Sequence, residues 1–325
     1  MNAYDRRRVL VIGGLGYIGR HVTGRLRTCG AEVTVVTRAL ARHRDAVAGF
    51  EASGVRLVEA DLRDASAMRV AVRGQDVVFN LAGHSGAVRS MEDPVTDLDE
   101  NCRGNLVLLE TLRIENPSAA LVFVSSRLAY GRGGAARVDE GRPLDPLCIH
   151  AVHKAAVEQY LRIYGRTYGL RFSIARLTNP YGPGQPRGRT AYGVVNYLIH
   201  HALEGAALTM YGDGSQCRDY IYIDDAVEAL LLMGITPAAV GQTYNVGSGV
   251  GTRMIDMARA IIDIAGAGSI EFTDWPPIAG QIETGDFVAD TARIRSDTGW
   301  TSRVGLLDGL QKTIAFYKSG VASSK

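Results

Sequence analysis

Four cysteines in 325 residues, at Cys29, Cys102, Cys148 and Cys217, are too few and too scattered for a disulfide framework. No two form a CxxC pair, so a zinc site is not expected, and a reducing cytosol fits their usage. Long apolar runs are missing as well, and nothing approaches the length needed to span a bilayer. The N-terminal "MNAYDRRRVLVIGGLGYIG" sets basic residues before apolar ones, yet only four apolar residues precede the glycines. That is too short for the hydrophobic region of a signal peptide, and a cytoplasmic location is expected. Excess charge of either sign is absent: 36 basic residues against 34 acidic leave a net charge of +2. Such a balance gives no electrostatic footprint for nucleic acid or an anionic membrane, although it leaves room for a local basic pocket that holds a phosphorylated ligand. Internal repeats and low-complexity tracts are also missing, and only the terminal "SGVASSK" reads as frayed.

What is present is an ordinary globular composition, 46% hydrophobic and 22% charged, in a chain long enough for one large or two joined domains. The first half alternates strand and helix signals. "RVLVIGG", "AEVTVVTR", "GVRLVEADL", "DVVFNLAG" and "AALVFVSS" are five short runs rich in Val, Leu and Ile, separated by helical stretches such as Tyr17 to Arg27 and "NCRGNLVLLETLRIEN". Strands of this kind alternating with helices predict a parallel sheet covered on both faces. Right-handed crossovers then make it an α/β fold with a Rossmann-type doubly wound sheet. From Thr178 the texture changes. "TNPYGPGQPRGRTAYG" is dense in Gly, Pro and Arg and reads as a functional loop, and beyond it strands and helices mix less regularly. The expected organisation is a dinucleotide-binding domain over 1–177 plus about 219–247, with a smaller C-terminal substrate-binding lobe from 178–218 and 248–325.

"GGLGYIG" places Gly13, Gly16 and Gly19 directly after a strand, with Tyr17 and Ile18 opening a helix. Glycine there lets the backbone turn tightly and approach a pyrophosphate, whose charge faces the helix N-terminus. The spacing, GxxGxxG, is one residue wider than the usual dinucleotide fingerprint, and the strand–turn–helix context is what makes it a cofactor signal. An acidic residue about twenty positions on would grip the ribose 2′-OH of NAD. Arg38 stands at the end of the second strand instead, with Arg42 and Arg44 beyond. Arg38 is suited to a 2′-phosphate and tilts the choice toward NADP; the competing reading is a solvated basic loop. Asp61 and Leu62, after the third strand, suit the adenine edge. Leu81, Ala82 and Gly83, ending the fourth, allow close approach along the cofactor.

"GGLGYIGRH", "VSSRLAYG", "HKAAVEQY", "RLTNPYGPGQ", "GDGSQCRDYIYIDDAVEA", "YNVGSG" and "GDFVADTARIRSDTGW" follow one another along nearly the whole chain. Together they resemble the extended short-chain dehydrogenase/reductase family, the NAD-dependent epimerase/dehydratases that act on nucleotide sugars. The resemblance implies a Ser or Thr after the fifth strand beside a Tyr-x-x-x-Lys on the next helix. In that family the tyrosine takes the proton from a sugar hydroxyl, and the lysine lowers its pKa and holds the nicotinamide ribose. Ser126 and Lys154 match, and the tyrosine position is His150. A neutral imidazole near Lys154 has its protonated form disfavoured by the like charge and is a competent base. It reaches less far than a phenol, and misplacement by about 1 Å can cost roughly a hundredfold in rate.

The resemblance also sorts reactions. Dehydratases of the family carry Thr-Asp-Glu after the fifth strand and decarboxylases Thr-Ser-Glu, where this chain has Ser126, Arg127 and Leu128. Leu128 cannot transfer a proton, so both reactions lose their usual acid. "SSRLAYG" and "RLTNPYGPGQ" look more like the sugar 4-epimerases, which oxidise and re-reduce C4 with tightly bound cofactor. The alternatives are an NADPH-dependent keto-sugar reductase, a nucleotide-sugar dehydratase, or a catalytically impaired nucleotide-sugar binder. The resemblance places Asn179 and Arg218 at the pyrophosphate of a nucleotide-diphosphate sugar, Ser85, Arg89 and Ser90 at the sugar pocket, and Tyr181 on the cofactor side. Asn179 as a turn cap, and Arg218 paired with Asp219 or Asp224, are the competing structural roles. His84 divides between substrate contact and structure, His153 reads as surface or packing, and His200-His201 lack a third ligand, so no metal is expected. A homodimer is implied by resemblance alone.

Overall fold

The computed structural model describes residues 2–83, 86–134, 137–185 and 193–320. Strands β1 (Arg8–Ile12), β2 (Glu32–Thr37), β3 (Arg56–Glu59), β4 (Val77–Asn80), β5 (Ala120–Ser126) and β6 (Arg171–Leu177) alternate with helices. These helices are α1 (Tyr17–Thr28), α2 (Arg44–Ala52), α3 (Ala65–Val72), α4 (Ala87–Glu92), α5 (Pro94–Leu98), α6 (Gly104–Glu115) and α7 (Ile149–Tyr168). A π-helical turn, Asp99–Arg103, joins α5 to α6.

The remaining strands are β7 (Asn179–Tyr181), β8 (Ala207–Tyr211), β9 (Cys217–Tyr222), β10 (Thr243–Val246), β11 (Gly251–Arg253) and β12 (Ser269–Thr273). Seven strands form one sheet in the order β10-β6-β5-β4-β1-β2-β3, and every neighbouring pair is parallel. The strand order reverses between β1 and β4, the point at which a doubly wound sheet opens a crevice.

Alternation along each strand divides the core between the two faces. Val9 and Val11 of β1 face one way with Val33 and Val35, against Val22 and Leu26 of α1. Leu10 and Ile12 face the other way, with Met68 of α3, Leu108 and Leu112 of α6, and Val157 and Leu161 of α7. Both faces are therefore apolar and both are covered, which is why the strands read as unbroken Val/Leu/Ile runs.

Beyond β6 the chain builds a three-stranded sheet, β11-β9-β7, and a separate parallel pair, β12-β8. β9 stays with the small sheet, whereas the helix Ile223–Ile235 and β10 return to the large one. Asp219 on β9 is fully buried, and its carboxylate accepts from Ser248 N at 2.7 Å, Ser248 Oγ at 2.8 Å, Gly249 N at 3.0 Å and Ala289 N at 3.1 Å. One acid thus ties three segments of the smaller lobe together.

Candidate active site

The C-terminal ends of β1 to β6 open onto a cavity of about 440 Å³. Its floor is the loop between β1 and α1. Gly13 there has φ +80°, and a Cβ on it would lie 2.9 Å from the backbone nitrogen of Ala82. A Cβ on Gly19 would lie 2.1 Å from the Gly13 carbonyl. The loop is thus pressed against the end of β4 with no room for side chains, which leaves its backbone as the surface presented to a ligand. Gly16 caps α1 in an extended conformation and offers no side-chain cap, so the first-turn N–H groups are left for an anion. Gly13, Gly16, Tyr17, Ile18 and Gly19 line this cavity, together with Arg38, Asp61, Leu62, Leu81, Ala82, Gly83, Ser126, His150 and Lys154.

At the end of the cavity near β2 and β3, two arginines are already held by acids. Arg63 grips Asp61 through Nε at 2.9 Å and Nη2 at 2.8 Å, and those bonds hold the Asp61 carboxyl below its ordinary range. Arg38 Nη1 donates to Glu100 Oε1. The basic loop is therefore neither wholly solvated nor an unpaired cation at Arg38. Glu100 projects from the π-helical turn, and its other oxygen, Oε2, is buried with no hydrogen-bond partner among the described residues. A buried acceptor of this kind is costly unless a donor meets it. The uncapped glycine cradle offers the free N–H groups a pyrophosphate would need, and the Glu100 oxygen an acceptor for a ribose or adenine donor, so the residues present fit a dinucleotide.

The opposite end is built on α7. His150 and Lys154 are four residues apart on one helix face, and both are buried. Ser90 Oγ accepts from the His150 backbone N–H at 3.0 Å and so caps the first turn of α7. Lys154 Nζ donates to the Val124 carbonyl at 2.9 Å and sits 4.8 Å from the centre of the Phe123 ring. Burial pushes Lys154 down to about 8, against the pull of Asp97 and Glu158. Ser126 Oγ, at the end of β5, accepts from Leu128 N at 3.2 Å. Burial lowers His150 from its ordinary value and the Lys154 charge lowers it further, while Asp97 opposes both. The like charge expected to keep the imidazole neutral is thus present, and desolvation is the larger cause.

Sequence reasoning missed Asp97. It lies on α5, buried, with Oδ1 2.7 Å from His153 Nδ1 and Oδ2 3.7 Å from His150 Nδ1. Burial alone would raise its carboxyl, but the two imidazoles outweigh that and hold it at about 2. His153 is accordingly not a surface residue. The signal in the sequence was faint: an acid three residues after Pro94, with nothing local to connect it to a helix some fifty residues on.

Several expected contacts lie away from this cavity. Tyr181 does not line it; its ring packs on Tyr222 and its hydroxyl donates to Leu306 O at 3.2 Å, because Asn179–Tyr181 is a strand of the small sheet whose alternation turns Tyr181 into the core. Asn179 Nδ2 donates to Asp219 O at 2.7 Å, a strand-to-strand bond in place of a turn cap. Arg218 is buried and pairs with Glu283 and the Gly285 carbonyl, not with Asp219 or Asp224. Arg127 is buried near it, with Nη1 2.9 Å from Thr284 Oγ1 and its guanidinium 5.4 Å from the centre of the Phe287 ring. Arg89 is exposed on α4. His84 and Ser85 lie outside the described residues, as do 186–192 of the Gly/Pro/Arg-rich loop and the end of the "SGVASSK" tail.

A glycine cradle, a waiting acceptor and a Ser–His–Lys cluster in one crevice are accompanied by a match to the NAD-dependent epimerase/dehydratase family model over residues 9–247. The chain belongs to that family. The UDP-glucose 4-epimerase of Mycolicibacterium smegmatis is 32% identical over 315 residues, 96% of this chain and 99% of that protein. The structure of a Thermus thermophilus UDP-glucose 4-epimerase in complex with NAD aligns with a TM-score of 0.86 at 32% identity, covering 96% of this chain and 99% of that one. A dTDP-glucose 4,6-dehydratase of Streptomyces venezuelae, solved with NAD bound, aligns with a TM-score of 0.87 at 27% identity, over 96% and 97% of the two chains. The family therefore brings both epimerases and dehydratases into comparison, and the doubly wound Rossmann-type sheet expected from the sequence is the fold shared with these structures. Among the described residues no helix is long and apolar enough to cross a membrane.

Proposed function

We propose that this family member is a nucleotide-sugar 4-epimerase working with tightly held NAD. The observation that carries the reading is the placement of Ser126, His150 and Lys154 on the wall of the glycine-floored cavity, with Leu128 where the family's dehydratases keep an acid. Leu128 offers no proton, and its neighbour Arg127 is a buried cation turned toward Thr284. Elimination of water thus lacks its usual acid, while oxidation and re-reduction at C4 need none beyond the base.

When bound, the nicotinamide supplies the acceptor and returning donor of the C4 hydride. The rest is done by the chain's own residues. His150, kept neutral by burial, accepts the C4 hydroxyl proton and gives it back. Ser126 offers a hydroxyl to the same sugar oxygen, and Lys154 fixes the local positive charge and holds the nicotinamide ribose. Arg218, with Arg127 beside it, serves the diphosphate of the sugar nucleotide, and Asn179 fastens the strand that carries this lobe. Ser85 and Arg89 are assigned to the sugar side. In this reading the cofactor lies on the large sheet, and the sugar nucleotide is shared between 178–218 and 248–325 and the residues Ser85, Arg89 and Arg127 of the large domain.

NAD is favoured over NADP because Glu100 already satisfies Arg38, the residue that would otherwise hold a 2′-phosphate. That pairing also weakens the NADPH-dependent reductase reading. A cytoplasmic homodimer is the proposed state, supported by apolar side chains exposed on α5 and α7: Val95, Leu98 and Val152.

The deciding experiment is purification followed by identification of the retained nicotinamide. The same sample is then offered UDP-, dTDP-, GDP- and CDP-sugars, with UDP-glucose first, and NMR is used to detect inversion at C4. Binding of a sugar nucleotide without turnover of any would sink the catalytic reading and leave a binding protein.

A further inference from the structure

A base that takes a proton on one ring nitrogen needs its other nitrogen held in a known state. Asp97 is the carboxylate placed to do this. It is 7% exposed and receives side chains from two other elements: His153 and His150 of α7, and Asn101 of the π-helical turn. An ionised carboxylate accepts only, so each of these neighbours must present a proton to it. His153 does so at 2.7 Å and anchors the acid. His150 stands 3.7 Å away, within ion-pair range and beyond hydrogen-bond length, and the imidazolium formed in turnover would be drawn toward the carboxylate. The Asn101 amide nitrogen is 3.5 Å from His150 Nδ1, closer than Asp97, and as a donor it would favour the opposite tautomer; the charge of the Asp97 carboxylate is what weights the pair toward Nδ1–H.

We propose that Asp97 is the positioning residue of the site, holding the Nδ1–H tautomer of His150 so that Nε2 is the base turned to the cavity. This rests on the epimerase reading above. The sugar hydroxyl proton passes to Nε2 and returns when the hydroxyl re-forms, so the imidazole ends as it began. In between, the imidazolium carries protons on both nitrogens, and its charge faces the Asp97 carboxylate. The groups around His150 bracket this state. Lys154 and His153 on its own helix oppose the charge, and Asp97 from α5 favours it. Asn101, Ser90 Oγ and the Cys148 thiol are the neutral polar neighbours from the π-helical turn, α4 and the segment before α7. Asp97, His150 and Lys154 thereby replace a two-residue Tyr/Lys device with a three-residue one.

Two measurements test the proposal. Proton–nitrogen correlation NMR on the ¹⁵N-labelled, unmodified protein, with His150 assigned by its loss in His150→Gln, is expected to show the Nδ1–H tautomer. An Nε2–H tautomer overturns the proposal whichever sugar is the substrate and whether or not any variant folds. For Asp97→Asn, the acid limb of kcat/KM is expected to move to lower pH, because the group that favours imidazolium is gone. The same change should lower kcat at least about tenfold with KM within about twofold, and Asp97→Glu should recover part of kcat. A limb that stays put or rises, or a kcat within about twofold of the unmodified enzyme, overturns the role of Asp97. His150→Ala separates the two readings: full activity in that variant removes His150 as the base, whereas an inactive His150→Ala beside an unaffected Asp97→Asn removes only the positioning role.

Discussion

A histidine in place of a phenol changes both the reach and the pH range of the base. The imidazole is shorter, so the substrate oxygen must come closer to α7, and the cap from Ser90 Oγ to His150 N fixes where that ring starts. Its ordinary pKa is 6.5, and burial with Lys154 lowers it. The sign follows directly: the working form is neutral, it is present above the lowered pKa, and activity is lost as pH falls through that value. The acid limb of kcat/KM is therefore expected below pH 6.5, and His150→Ala should slow the first half-reaction by roughly 10²–10⁴-fold. Appearance of reduced-nicotinamide absorbance on mixing with the sugar nucleotide measures both. A second residue-scale expectation concerns Glu100. Removing its carboxylate in Glu100→Ala frees Arg38, so the ratio of NADP to NAD affinity should rise about tenfold or more in calorimetric titrations. An unchanged ratio would show that Arg38 does not meet the 2′ position. The four-residue spacing of His150 and Lys154 was legible as one helix face, and the family resemblance is what joined Ser126 to them. Asp97 and Glu100 were not legible, since each meets its partner across more than fifty residues of chain, and only the packing of α5 and the π-helical turn brings them there.

The elements themselves were easier to read. The five strand runs and the helix from Tyr17 appear where the Val/Leu/Ile pattern and the glycines put them, because the central strands β1 and β4 are buried on both faces and write that burial into nearly every residue. The π-helical turn was invisible, and the run read as one helix from Asn101 begins with it, since it keeps helical side-chain spacing apart from one extra residue. The junction between α7 and the sheet was also unforeseen. Glu158 is fully buried on α7 and receives Ser125 Oγ of β5 at 2.6 Å, and Arg176 of β6 through Nε at 3.0 Å and Nη2 at 2.6 Å. This acid fixes the helix that carries His150 to the two strands beneath it. Breaking a buried pair of this kind leaves an uncompensated charge, and Glu158→Ala should cost about 3–5 kcal/mol in urea unfolding. The double change Glu158→Leu with Arg176→Met should recover most of that loss, since it removes both charges together. If the single variant unfolds at the same urea concentration as the unmodified protein, the junction is not what holds α7.

At the scale of the molecule, the two lobes meet around a pair of arginines. Arg127 comes from the end of β5 in the large sheet and Arg218 from β9 in the small one, and both reach the segment 283–287. Glu283 pairs with Arg218, and among the described residues no carboxylate forms an ion pair with Arg127. Burial pushes Arg127 down to about 10, and the neighbouring Arg218 adds to that. Two buried guanidiniums sharing one acid are an electrostatic cost in the free protein, and a diphosphate laid between the lobes would relieve it. The expected consequence is a variant whose two effects have opposite signs. Arg127→Met keeps the length of the side chain and removes its charge, so the free protein should melt at the same temperature or higher. A nucleoside diphosphate at 100 times its Kd should stabilise the unmodified protein by about 2.7 kcal/mol. At that same concentration the variant should show a clearly smaller rise in Tm, because its affinity is lower. Scanning calorimetry with and without UDP measures both quantities on one sample. A variant that melts lower on its own yet keeps the full UDP-induced rise would make Arg127 a structural strut between the lobes and remove it from the diphosphate site.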